Sequence, residues 1–374
     1  MAAIGENSKP EYSARIVQAR AYDYEWPRQA PVANGLHTYA TSDVSVVEIR
    51  TDIGITGYGV GRPRVGEREM RREFLSRLIG ADATMTEAIW ESLWSPKMSG
   101  RRGNETRALS SIDIALWDIK AKMAGLPLYR LLGGYRQRIP IYIAGGYYGK
   151  GKGLKELQAE FAQYAALGAR AVKMKVGAVP IPEDLKRIAA VRQVIGDDIE
   201  LLIDANCAYR YFEAISLSKQ AEEYRVYWFE EPVQPDDYEG FAKIAAATAI
   251  PIAAGENEYT KHGFRDLIKT QAVAVLNPDV RYLGGVTEFM KVAAMAQAHG
   301  LDICPHGEQQ AHLHVLAAIP NARLLEYYPQ QIDPMAGKCF LYTPALNADG
   351  SVTVPEVPGA GLDPDFDALA PYQL

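Results

Sequence analysis

The chain has 374 residues, 48% of them hydrophobic and 23% charged, which excludes a disordered chain and suits one large α/β domain with a smaller partner. Forty basic residues against 46 acidic ones leave a net charge of −6, so no bulk positive field answers a phosphate backbone and nucleic acid is not an expected partner. No apolar run reaches the roughly 18–20 residues that cross a bilayer, and residues 1–10 lack the apolar stretch of a secretion signal, so a cytoplasmic protein off the membrane is expected.

In chain order, the first 134 residues read as an α+β unit. Residues 44–49 alternate along a strand before Gly54-Ile55-Thr56-Gly57-Tyr58-Gly59, which reads as a hairpin; the glycines lack the GxGxxG order of a phosphate loop. Residues 111–125 form the clearest helix, with Ile112, Leu116, Ile119 and Met123 on one face and Gly125 to stop it.

Between 135 and 345 short apolar runs alternate with amphipathic stretches. The runs are Ile141–Ala144, Ala171–Lys175, Glu200–Asp204, Val226–Glu230, Pro251–Ala254, Val273–Leu276, Leu301–Cys304 and Arg323–Glu326. That alternation is the mark of a parallel sheet, and eight strands close a barrel. Helices such as 154–165 and 185–195 lie between them, each followed by a glycine (Gly168, Gly196). The last stretch, 346–374, is expected to wrap back over the first unit. Cys207, Cys304 and Cys339 are an odd number without CxxC spacing, so they are expected to be small core residues rather than a disulfide or zinc framework.

A barrel of this kind holds its active site at the C-terminal ends of its strands. Strand two ends in Lys173-Met174-Lys175, strand three in Asp204-Ala205-Asn206, strand four in Glu230-Glu231-Pro232, and strand five is followed by Gly255-Glu256-Asn257. Alone, each acid reads as a surface or salt-bridged group. Together, Asp204, Glu230 and Glu256 stand 26 and 26 residues apart on consecutive strand ends, where three carboxylates repel unless a cation neutralises them. Oxygen ligands without His or Cys favour Mg²⁺. Lys173 and Lys175 share one face of their strand, and their mutual repulsion is expected to lower a lysine pKa toward that of a usable base. Asp279 after strand six and His306 after strand seven form an expected orienting dyad with His306 as a second acid/base. Glu326, closing strand eight, would add a hydrogen bond to a ligand oxygen if its pKa were raised enough to keep a proton. His299, His312 and His314 read as structural.

This ordered set, with the helix Ser111–Asp118 and Leu131-Leu132-Gly133-Gly134, resembles the enolase superfamily and specifically its mandelate racemase subgroup. The resemblance implies an α/β fold, a (β/α)₇β modified TIM barrel (135–345) under an α+β capping domain built from residues 1–134 and completed by 346–374. It implies Mg²⁺ on Asp204, Glu230 and Glu256, Lys175 as the base on one face, Asp279 with His306 on the other, and Lys173 and Glu326 polarising a substrate carboxylate. It also implies a symmetric homo-oligomer, often an octamer. The sequence departs from many relatives at Tyr58-Gly59-Val60-Gly61-Arg62, where they place a Glu, and at Gly307-Glu308-Gln309-Gln310-Ala311-His312 after His306; both stretches border the substrate.

The expected reaction is removal of the proton α to a carboxylate, giving an enediolate, then loss of the β-hydroxyl of a sugar acid to leave a 2-keto-3-deoxy acid. Racemisation or epimerisation, and cycloisomerisation of a sugar lactone, use the same constellation and stay open. A non-catalytic carboxylate-binding protein is the remote alternative, against which the joint presence of Lys175 and the Asp279/His306 pair counts. Expected substrate contacts are Asn206, Tyr22, Tyr24, His37, Tyr39 and Arg62, with Tyr147 and Tyr148 after strand one.

Overall fold

Strands β1 (Ile16–Ala33) and β2 (Thr38–Thr51) form a long antiparallel hairpin, and β3 (Thr56–Gly61) completes a three-stranded sheet. The structure is a computed structural model that describes residues 12–374; the secretion-signal reading of residues 1–10 lies outside the described residues. Alternation along β2 splits its apolar side chains between two faces. Val44 and Val46 join the large core that continues into the second half of the chain, while Val47 and Ile49 pack with Phe74, Trp90 and Ile112 from helices Val65–Arg77, Thr86–Leu93 and Asn104–Met123. The last of the hairpin glycines does not turn the chain but lets β3 lie on a helix: a Cβ on Gly59 would stand 2.0 Å from the Ser111 carbonyl oxygen.

The second half is the barrel. Strands β4 (Arg138–Gly145), β5 (Ala171–Lys175), β6 (Glu200–Asp204), β7 (Val226–Glu230), β8 (Ile252–Ala254), β9 (Val275–Leu276), β10 (Asp302–Ile303) and β11 (Leu325–Tyr327) run parallel in the order β10-β9-β8-β7-β6-β5-β4-β11. The two ends meet through a parallel bridge between Ile303 and Ala322. Seven helices alternate with the eight strands: Leu154–Ala166, Ile181–Ile195, Tyr211–Ala221, Tyr238–Ala245, Thr260–Lys269, Gly285–Ala298 and Gln309–Ala318. The eight strands are those read from the apolar runs, and their order with the helices is the (β/α)₇β one that the resemblance implied. β5, β6 and β7 coincide with their runs, whereas β9 and β10 shorten to two residues. Period-two alternation turns Val172, Met174, Leu201, Ile203 and Phe229 outward to the helices and Ala171, Leu202, Trp228 and Ala253 into the barrel.

A last strand, β12 (Ser351–Thr353), adds antiparallel to the start of β4. The chain then returns to the three-stranded sheet, where the Phe366 ring sits edge-on to Tyr22 and the Leu374 amide donates to the Asp23 carbonyl at 2.9 Å. No helix among the described residues is long and apolar enough to cross a membrane.

The β1–β2 hairpin tip reaches the mouth of the barrel. Ala33 and Tyr148 exchange two backbone hydrogen bonds of 2.8 Å, and Asn34 Oδ1 closes the tip by accepting from the Leu36 and His37 amides. This docking puts His37 and Tyr39 over the strand ends.

Candidate active site

Strand register brings the charged residues into layers. Lys175 on β5 pairs with Asp204 on β6, and Asp204 with Glu230 on β7; all three follow inward-facing residues by two positions, so their side chains enter the barrel. β8 stops at Ala254, and Gly255, with φ +134°, turns the chain so that Glu256 comes back toward the same point. A Cβ at Gly255 would stand 2.9 Å from the Phe264 ring and 3.2 Å from the Asn277 amide. One carboxylate oxygen each from Asp204, Glu230 and Glu256 then lies within 4.8 Å of the other two.

The lysines fill in around these acids. Lys175 Nζ is 2.5 Å from Asp204 Oδ2. Lys173, a layer deeper and fully buried, reaches Glu230 Oε1 at 2.5 Å, Glu326 Oε1 at 2.8 Å and Asp204 Oδ2 at 3.5 Å, above the Tyr142 ring. Two sequence expectations are corrected here. Burial works to lower both lysine pKa values, but the surrounding carboxylates outweigh it and their mutual repulsion, so both are raised. Glu326 does not keep a proton: burial pushes its pKa up, but Lys173 and His306 pull it down to about 2; it is ion-paired with Lys173 and its Oε2 accepts from the Gly307 amide at 2.6 Å.

The lysines do not neutralise the whole cluster. Burial, with repulsion from Asp204 and Glu326, lifts Glu230 to about 7 against the pull of Lys173. Burial lifts Glu256 well above the carboxylate range, and its Oε2 is buried without a hydrogen-bond partner. Three converging carboxylates, one with an unanswered oxygen, are a donor set that fits a hard divalent cation.

On the opposite side of the strand ends, His306 Nδ1 is 3.0 Å from Asp279 Oδ2, leaving Nε2 toward Glu256 at 3.7 Å. Asp279 is also gripped by Arg281, at 2.6 and 3.0 Å, and lies 3.5 Å from His312 Nε2. His312, buried, accepts from the Val280 amide at 2.9 Å, and His314 is likewise buried; both are structural, as read.

A cavity of about 430 Å³ opens over this arrangement, and Lys175, Glu256 and His306 face it together with Asn206, His37, Tyr39, Arg62 and Tyr147. Lys173, Asp204, Glu230, Asp279 and Glu326 lie beneath its surface. Three tyrosines named from the sequence lie elsewhere: Tyr22 packs on Phe366, Tyr24 is buried in the core, and Tyr148 donates its hydroxyl to Asp184 at 2.5 Å. Arg62 faces the cavity, but its guanidinium is bidentate to Asp43 at 2.7 Å.

Chains of known class match nearly the whole length. The family described as Mandelate racemase / muconate lactonizing enzyme, N-terminal domain, matches residues 16–133, and the one described as Enolase C-terminal domain-like matches residues 156–368. The chain belongs to the mandelate racemase/muconate lactonizing enzyme family of the enolase superfamily. It is 33% identical over 329 residues to an arabinonate dehydratase from Saccharolobus solfataricus, covering 85% of this chain and 87% of that one. It is 36% identical over 293 residues to a 3,6-anhydro-alpha-L-galactonate cycloisomerase from Streptomyces coelicolor, covering 78% and 79%. A mutant L-talarate/galactarate dehydratase liganded with Mg and L-glucarate superposes with a TM-score of 0.89 at 29% identity, over 100% of this chain and 96% of that one.

Within this family member the structure also brings residues to the site that the sequence reading passed over. Arg281 stands two positions after Asp279, a spacing visible in the sequence once its side chain is known to fold back. Glu231, at a left-handed φ of +38°, is buried and accepts from Asn257 at 2.8 Å and Cys207 Sγ at 3.1 Å. Cys207, read as core, is buried but borders the cavity. Arg107 carries no local motif; a helix in the first third of the chain delivers it.

Proposed function

We propose that this protein is a Mg²⁺-dependent dehydratase of a sugar acid. The observation that carries the reading is the placement of the three-carboxylate cluster between Lys175 on one side and the His306–Asp279 pair on the other, all around one cavity. Asp204, Glu230 and Glu256 would hold the ion. When bound, the cation supplies positive charge to the oxygens of a substrate carboxylate, so that the dianionic enediolate formed on loss of the α-proton is stabilised more than the ground state.

The chain's own residues do the rest. Lys175 takes the α-proton at Nζ. Lys173 and Glu326, a layer below, fix the charge under the substrate carboxylate. Asp279 holds the Nδ1–H of His306, so that Nε2 delivers a proton to the β-hydroxyl as its C–O bond breaks. Water leaves, and the enol becomes a 2-keto-3-deoxy acid. In the same reading residues 1–134 and 346–374 act as the cap that selects the substrate, through His37, Tyr39 and Arg62, with Tyr147 and Asn206 added by 135–345.

The cycloisomerase relative supports a second reading on the same residues, in which Lys175 moves the α-proton and no water is lost. Incubating mono- and diacid sugars with the protein and Mg²⁺ in D₂O separates the two. A semicarbazide-reactive product is expected; α-deuteration or lactone consumption without a keto acid selects the isomerase, and no keto acid, no α-deuteration and no lactone consumption with any substrate overturns both.

A further inference from the structure

Five arginines line the cavity and differ in what answers their charge. Arg62 is bidentate to Asp43, Arg281 is bidentate to Asp279, and Arg28 donates to the Ile332 carbonyl at 2.8 Å. Arg107, on the first turn of the Asn104–Met123 helix, is different. Its Nε donates to the Tyr259 hydroxyl at 2.5 Å and its guanidinium stacks 3.9 Å from the centre of the Tyr282 ring. Among the described residues no carboxylate lies within ion-pair distance of it, and its Nη atoms donate to none of them. It nevertheless borders the same cavity as Lys175 and His306. A fifth cavity arginine, Arg64, is exposed at the mouth and answers to solvent.

We propose that Arg107, backed by Tyr282, is a second anion subsite, and that the substrate is therefore a sugar diacid, with one carboxylate at the Asp204/Glu230/Glu256 cluster and the other on Arg107. The inference rests on the reading of that cluster given above. A planar guanidinium with free Nη donors matches a carboxylate in shape and charge, and stacking on a ring holds it in place before the ligand arrives. The Tyr282 ring links the two places: its centre lies 6.3 Å from that of the His306 ring, and the Arg107 guanidinium stacks against it. A monoacid or a lactone would cover Arg107 without an anion and lose its hydration uncompensated, so the same residue that attracts a diacid discriminates against them.

The test measures binding of galactarate, glucarate and the corresponding monoacids, galactonate and gluconate, by calorimetry with Mg²⁺ present. All arms use a Lys175→Ala background so that turnover does not disturb the equilibrium. With Arg107 present, at least one diacid should bind about tenfold or more tighter than its monoacid. Arg107→Met should erase that difference, weakening the diacid while monoacid affinity holds or tightens, and Arg107→Lys should keep part of it. Equal affinities in the presence of Arg107, no diacid binding, or an Arg107→Met loss shared by monoacid and diacid would each overturn the subsite. The reaction is judged separately with Lys175 intact: a diacid preference without keto-acid formation sinks the dehydratase and keeps the subsite, whereas keto-acid formation without a diacid preference does the reverse.

Discussion

The Lys175 ammonium lies 2.5 Å from Oδ2 of Asp204, its register partner on the neighbouring strand. The contact makes each group the other's countercharge and holds the Lys175 pKa above its ordinary value despite burial. A cation that takes over the charge of Asp204 removes the reason for Lys175 to keep its proton, so the base becomes available when the site is loaded. Lys175→Ala is therefore expected to lower α-proton exchange about 10²–10⁴-fold. Affinity for Mg²⁺ should hold or tighten, because a repelling ammonium has gone. Exchange is read by NMR in D₂O and affinity by calorimetry; exchange at the unaltered rate would place the base elsewhere.

His306 separates the two halves of the proposed reaction. With Nδ1 committed to Asp279 at 3.0 Å, Nε2 is the nitrogen left for the leaving hydroxyl. His306→Asn should suppress keto-acid formation about 10²-fold or more while α-deuteration by Lys175 continues. Loss of both together would assign His306 to the first step instead.

Gly255 sets the position of Glu256. Its φ of +134° and the 3.2 Å approach that a Cβ would make to the Asn277 amide leave no room for a side chain. Gly255→Ala should destabilise the fold by about 1–3 kcal/mol and weaken Mg²⁺ binding by moving one of the three carboxylates, measured by thermal unfolding and metal titration. A variant with the parent's metal affinity would show that Glu256 is not placed by this turn.

The parts of this site that repeat along the sequence were legible in it. β5, β6 and β7 are central strands whose apolar runs end where a polar residue enters the barrel, so Lys175, Asp204 and Glu230 could be placed by counting. β1 was not legible: Pro27 and a mostly half-exposed alternation disguise an 18-residue strand. The lysine pKa directions were missed for a different reason. Sequence spacing reveals the repulsion between Lys173 and Lys175 on one strand but not the carboxylates that neighbouring strands bring within 2.5–3.5 Å. Arg107 is the extreme case, since its partner Tyr259 is 152 residues away and only tertiary packing sets it beside Tyr282.

His314 gives the fold a pH dependence remote from the chemistry. Buried, with Nδ1 accepting from the Tyr129 amide at 3.3 Å and Nε2 unpartnered, it is held neutral, and burial lowers its pKa from 6.5 to about 4. Below pH 6.5 the unfolded chain takes up this proton and the folded one does not, so stability falls as the pH drops toward 4 and this contribution levels off below it. The loss amounts to about 3 kcal/mol. His314→Gln should show a correspondingly shallower decline of unfolding free energy between those pH values; an identical decline in both proteins would show that His314 titrates normally.

The central claim is that Asp204, Glu230 and Glu256 act through a divalent cation they hold jointly. It is tested most directly by following keto-acid formation from a sugar acid, together with α-deuteration of the remaining acid in D₂O, before and after removal of divalent ions with a chelator, then after adding Mg²⁺ back. Both should stop on chelation and return with Mg²⁺, and Glu230→Gln should prevent the return. Turnover that continues at full rate in the chelated protein would contradict the account.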